Sequence, residues 1–158
     1  MADLAFLLAE LDRRLANMLK VGTVVKVDHG KALASVEIRT ASGTITTRLV
    51  PIPAGRAGEV KRWSPVSVGE QVMVASLGGE TGAAFIIGPY YQASMPAPGN
   101  NGTTEIVTFP DGTVIEHDWG AGQMSIKTPA DLTIEAANVT MKTGTIRFVY
   151  SAFEMVES

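Results

Sequence analysis

Gln123-Met-Ser-Ile-Lys-Thr128, Asp131-Leu-Thr-Ile-Glu-Ala136, Asn138-Val-Thr-Met-Lys-Thr143 and Thr145-Ile-Arg-Phe-Val-Tyr150 follow one another with breaks of one or two residues. Thr113-Val-Ile-Glu-His-Asp118 precedes them, and from Gln123 onward apolar and polar residues alternate, the pattern of strands with one wet and one dry face. The dry positions also repeat. Met124 to Leu132 and Ile126 to Ile134 are eight residues apart; Ile134 to Met141, Val139 to Ile146 and Met141 to Phe148 are seven. A strand with two or three apolar positions cannot bury them alone. Stacked repeats solve this as a solenoid or by association with copies of themselves. Five runs are few for a single-chain solenoid, so the expectation is a homo-oligomeric β-prism or β-helix. Periodicity does not fix connectivity, and an antiparallel meander is the alternative.

Working outward, Met95-Pro-Ala-Pro-Gly-Asn-Asn-Gly102 reads as a linker, stiffened by two prolines and broken by its Gly/Asn cluster. Before it, short strand-like runs are expected at Val21–Asp28, Ala32–Arg39, Thr44–Val50, Glu70–Ser76 and Gly82–Gly88, joined by tight turns and by a loop from Pro51 to Pro65. Five short strands in so short a stretch suggest a small closed barrel of the oligonucleotide/oligosaccharide-binding (OB) type. Residues 3–20 read as one helix with Asp3 as N-cap. Leu4, Leu8, Leu11, Leu15 and Met18 fall at alternating spacings of four and three, and Leu7 and Leu19 widen the stripe. Such a seam suits helix-to-helix packing, and equally an amphipathic helix lying on its own domain. In either case an isolated helix of this length needs a surface to pack on. The expected organisation is mainly β: a docking helix over 1–20, a five-stranded barrel over 21–94, a linker over 95–103 and an elongated β tail over 104–158.

Composition narrows the chemistry. With 13 Lys+Arg against 16 Asp+Glu, a phosphate-binding surface is not indicated. Charged residues make up 18% and the mean hydropathy is +0.17, apolar enough to favour surface hidden in an oligomer. The sequence holds no cysteine, which excludes disulfides and thiolate metal sites. Met1-Ala-Asp-Leu lacks the basic and apolar regions of a secretion leader, and no apolar run approaches the roughly 18 residues that span a bilayer. Synthesis in a cytoplasm is therefore expected. His29 and His117 have no metal-spaced partner, and no nucleophile elbow, phosphate-binding loop or HExxH motif is present. Glu116 and Asp118 share one strand face and read as solvated surface rather than a catalytic pair. Lys61, Arg62 and Trp63, with Arg56 nearby, offer a basic and aromatic cluster. Without a wider basic field it fits a protein-binding hot spot better than a nucleic-acid groove.

Arg56-Ala-Gly-Glu-Val-Lys-Arg-Trp-Ser-Pro-Val-Ser-Val-Gly-Glu-Gln-Val72 is similar to a signature of the baseplate assembly protein V family, the central spike proteins of contractile phage tails. The resemblance continues in Gly22-Thr-Val-Val-Lys-Val-Asp28, Gly88-Pro-Tyr-Tyr91 and Phe109-Pro-Asp-Gly-Thr-Val-Ile-Glu-His-Asp118, in the family's order. It implies a homotrimer with an N-terminal barrel domain and an intertwined triple-stranded β-helix, an architecture shared with VgrG proteins of type VI secretion. The barrels would dock on baseplate hub proteins and the needle would face the host envelope, which contraction drives it through. On the threefold axis Ile126, Leu132, Ile134, Val139, Met141, Ile146 and Phe148 would form the dry core. Leu4, Leu8, Leu11 and Leu15, with Arg56, Lys61, Arg62 and Trp63, would be the contacts to the hub.

The sequence departs from the family at its tip. Many members carry a His-x-His motif that binds iron, whereas here no histidine follows His117, so no cofactor or metal is expected. Phe153 and Met155 packing together, or a separate tip protein, would close the apex. No lysozyme insertion is present, and no enzymatic activity is expected. The expected role is structural, in the virion's tail baseplate. The alternative is a barrel that binds nucleic acid or carbohydrate and uses its β tail only to oligomerise.

Overall fold

The computed structural model describes residues 3–41, 43–147 and 149. It divides into two compact units, parting between Asn100 and Asn101.

The first unit opens with helix α1, Leu4–Met18. Asp3 caps it as expected, its carboxylate accepting the Ala5 N–H at 3.2 Å. The helix is shorter than the expected 3–20, because Leu19 and Lys20 already pair with Ala75 and Val74 in a sheet. Strand β1, Leu19–Asp28, therefore follows α1 with no residue between them. The β-branched run Thr23-Val24-Val25 favours extended backbone, and ladder bonds pull the boundary forward. Strands β2 (Leu33–Thr40), β3 (Gly43–Thr46), β4 (Val50–Pro51), β5 (Gln71–Ser76) and β6 (Ala84–Pro89) complete the sheet. All pairings are antiparallel, in the order β3-β2-β1-β5-β6, with β4 also on β2. The far edge, β6, curls round to lie beside β4, so the sheet bends into a partly closed barrel.

The run expected as one strand over Thr44–Val50 is broken in two. Glu37 faces Thr46 and Ala34 faces Val50, so three steps along β2 oppose four along the other strand. The extra residue is a bulge, which Thr47 stabilises: its N–H donates to the Val36 carbonyl and its hydroxyl accepts the Val36 N–H. A second bulge lies at Val25, between the Val24↔Val36 and Lys26↔Ser35 pairs. It reverses the inward parity of β1, so Gly22 and Val24 point in above it and Val27 packs inward below it. Bulges bend a strand and increase its twist, which a barrel this small requires. The core is built of small β-branched side chains. Val24, Val36, Val50, Val72, Val74 and Ile86 are the largest fully buried ones, and Val66 seals the interior from the long loop.

Helix α1 docks on a short turn, Leu77–Gly79. Gly79 has φ +73, and a Cβ placed on it would lie 2.4 Å from the Arg14 carbonyl oxygen. Only glycine permits both that backbone conformation and that close approach. Glu10 binds Arg13 at 2.8 Å and Arg14 at 2.7 Å, and these two guanidinium groups hold its carboxyl down to about 2.

In the second unit β7 (Thr104–Thr108), β8 (Val114–Asp118) and β9 (Gln123–Lys127) form a three-stranded antiparallel meander. Strand β7 lies outside the runs expected from alternation. Its hairpin to β8 turns on Phe109-Pro110-Asp111-Gly112, with the Gly112 N–H donating to the Phe109 carbonyl and Gly112 at φ +89. The β8–β9 turn is organised by Asp118, which accepts from Gly120 N–H, Ala121 N–H and the Thr103 hydroxyl. Those bonds hold its carboxyl below the usual range, the Ala121 N–H contributing most. Asp111 is lowered likewise by the backbone N–H and hydroxyl of Thr113.

Beyond Lys127 no strand forms among the described residues. The runs Asp131–Ala136 and Asn138–Thr143, and the described part of Thr145–Tyr150, are thus not strands within the single chain. Alternation reports which side chains share a face, whereas a strand also needs a neighbour for its N–H and C=O groups. None of the described chain pairs with these runs. Phe148, Phe153 and Met155 lie outside the described residues.

Two outcomes follow. Gly79→Ala is expected to release α1 while leaving the barrel folded, so backbone amides of 4–18 lose protection from hydrogen exchange and those of β1 and β5 keep it. Asp111 and Asp118 ionise more easily folded than at the ordinary value of 3.8, so their contribution is full above that pH and is lost as the pH falls through their lower folded values. In a Trp63→Phe background, Trp119 fluorescence should change on acidification below that value, and Asp118→Asn should flatten the response.

Candidate docking surfaces

No side chain of α1 is buried. The leucine stripe faces outward, with Leu4 70% and Leu15 65% exposed and Leu8, Leu11 and Met18 also open. The least exposed helical residues are Glu10 and Asn17, both polar. Arg13 reaches Glu80 at 3.8 Å and the Arg14 backbone meets Gly79. The helix thus rests on its own barrel by a polar side and turns its apolar side away. An amphipathic helix covering its own domain does the reverse.

Arg56, Lys61, Arg62 and Trp63 are brought together by a small hairpin in the long loop. Ala57 bridges Lys61, and the Arg62 N–H donates to the Arg56 carbonyl at 3.0 Å. Two guanidinium groups, an ammonium and an indole 59% exposed therefore share one projection, with Val60 at its tip. Side chains of this kind dominate the energetics of protein contacts.

A third surface escaped sequence reasoning. On the outside of the barrel, Leu19, Ala75 and Phe85 line up across β1, β5 and β6, and Val21 and Met73 form the next row. Leu19, Val21, Phe85 and Ile87 are exposed large hydrophobics. The signal was present in Ala84-Phe-Ile-Ile87 and Val72-Met-Val-Ala75, which are apolar at both parities, as strands covered on two faces are.

The tail presents a fourth. Val107, Ile115 and Ile126 form one cross-strand row, flanked by Glu105, His117 and Met124. His117 meets Trp119 edge-on with ring centroids 6.1 Å apart. No described residue of this unit is buried. Ile126, Leu132, Ile134, Val139, Met141 and Ile146 are each at least half exposed in the single chain.

No group of three or more His, Asp or Glu side chains is placed to hold a metal ion among the described residues. The hollows in the barrel are shallow. One of about 450 Å³ is lined by Val21, Gly22, Thr23, Glu37, Arg39, Gln71 and Gln92, a mixed set with neither a nucleophile–base pair nor a convergent charge. No helix is long and apolar enough to cross a membrane among the described residues.

Comparison with known proteins agrees with the barrel's topology. Residues 20–91 match the family described as the type VI secretion system/phage-baseplate injector OB domain. The chain is also 35% identical, over 109 residues, to the spike protein of Escherichia phage P2. That alignment takes in 69% of this chain and 50% of the relative, so the chain spans about half the length of the curated relative it matches. Over the barrel of β1 to β6 the chain belongs to the type VI secretion system/phage-baseplate injector OB-domain family, and the wider chain is similar to a phage spike protein.

Proposed function

We propose that the chain is a structural component of a contractile tail baseplate, a homotrimeric central spike that caps the tail tube and pierces the host's outer envelope when the sheath contracts. One observation carries the reading: the tail has apolar rows at regular spacing, and none of its described residues is buried. A three-stranded sheet with no buried residue lacks the core that independent stability requires. Three copies wrapped about one axis supply what is missing. Ile126, Leu132, Ile134, Val139, Met141 and Ile146 then face that axis, and the described runs beyond Lys127 gain neighbours for their backbone groups. The result is an intertwined β-helix without free edges, slow to unfold and stiff along its length.

The family supports the baseplate setting, and the P2 relative is itself a spike protein. In this reading the chain is assembled in the host cytoplasm and ends up in the virion tail. The hairpin of Arg56, Lys61, Arg62 and Trp63 serves as the contact to hub proteins, being exposed and rich in anchor side chains. The role is mechanical and needs neither cofactor nor catalytic group.

Light scattering coupled to size exclusion tests the assembly. Three times 16.7 kDa gives about 50 kDa, expected with early elution from an elongated particle. Ile134→Asp places three carboxylates together in a low-dielectric axis and should abolish the trimer. A compact monomer for the native chain, or an undisturbed oligomer from Ile134→Asp, overturns the reading. Salt-sensitive oligonucleotide binding by such a monomer would point instead to the nucleic-acid module.

A further inference from the structure

Two apolar faces of the first unit lack a cover, and they differ in form. One is the leucine stripe of α1, a convex ridge about 21 Å long from Leu4 to Met18 at 1.5 Å per residue. The other is the outer face of β1, β5 and β6, carrying Leu19, Val21, Phe85 and Ile87. Three strands are about 10 Å across, the diameter of one helix with its side chains. Within one chain the two cannot meet, because α1 is held to its barrel by its other side. Gly79 lies against the Arg14 backbone, and Arg13 reaches Glu80. The helix also enters β1 with no linker that would let it swing over.

From these placements we infer that α1 of one copy lies across the outer β1–β5–β6 face of the next, so that each chain both gives and receives a helix. The inference rests on the trimeric reading above. A contact between two different patches is heterologous, and such contacts form a closed ring when the rotation between copies closes. Three copies turning about the tail axis give that closure, with every leucine stripe covered and every sheet face occupied. Pairing the helices with each other instead would use just over two heptads, marginal for a coiled coil, and would leave the sheet faces bare. The helix therefore belongs to the trimer itself, and the Trp63 hairpin remains for the hub.

The native chain has no cysteine, so introduced thiols report without interference. Leu11 and Phe85 are both exposed, and replacing them leaves the barrel core intact. The full-length double variant Leu11→Cys/Phe85→Cys, oxidised mildly and run without reductant, should give a ladder of covalent dimer and trimer. Neither single variant should give one. A covalent dimer from Leu11→Cys alone means the helices pair with each other, and overturns the inference. So does an uncross-linked chain, or an internally bridged one, in a particle whose mass by light scattering is still about 50 kDa; in that case the trimer stands and the helix docks elsewhere. A mass of 16.7 kDa for the unsubstituted chain removes the trimer and the inference with it.

Discussion

A β-strand has two faces, and the interior of a small barrel has room for only one of them. Every strand of the first unit that carries apolar residues at both parities therefore creates a surface to be covered from outside. β5 and β6 do this most plainly, sending Val72, Val74, Ala84 and Ile86 inward and Met73, Ala75, Phe85 and Ile87 outward. At roughly 25 cal/mol per Å² of apolar area, leaving such a face wet forgoes a large contribution to stability. The same constraint governs the tail, where no described residue of the sheet is buried. Closure of the barrel settles the inner faces. The outer ones are settled only by other surfaces of like chemistry.

Helix α1 illustrates how the fold directs that choice. A short amphipathic helix is stabilised mainly by what it packs on, and the usual outcome is that it lies apolar side down on its own domain. Here the local contacts forbid it. The glycine at position 79 allows the helix backbone to approach along the Arg14 side, and Glu10 is tied into ion pairs with Arg13 and Arg14. Those exposed pairs contribute little energy. Their effect is on orientation, since they occupy the side that meets the barrel.

Much of the barrel could be read from the sequence, because its signals are local. Asp3 as a cap and the β-branched runs of β1 and β5 each act over a few residues. The helix boundary was displaced because pairing of Leu19 with Ala75, fifty-six positions away, overrode the heptad pattern. The bulges at Val25 and Thr47 were invisible for the same reason, as each is defined only by the count of residues on the opposing strand. In the tail, alternation marked Gln123–Thr128, of which Gln123–Lys127 is a strand, but could not say that its neighbour is β8, nor that the later runs find none among the described residues. β7 escaped notice because Thr104–Thr108 carries only two apolar residues. Of the candidate surfaces, the leucine stripe and the Trp63 cluster were legible as composition. The outer sheet face required knowledge of which strands are adjacent.

The direct junction of α1 with β1 has a bearing on how load passes through the molecule. A flexible joint between a docking element and a barrel would absorb displacement before transmitting it. Here Met18 is helical and Leu19 is already a ladder residue, so tension on the helix arrives along the axis of a strand paired with β5 over Leu19–Thr23 and with β2 over Thr23–Asp28. A strand pulled along its length loads its hydrogen bonds together in shear, whereas one peeled from an edge loses them singly. The junction makes α1 a tether anchored in the middle of the sheet, where the fold resists extraction best.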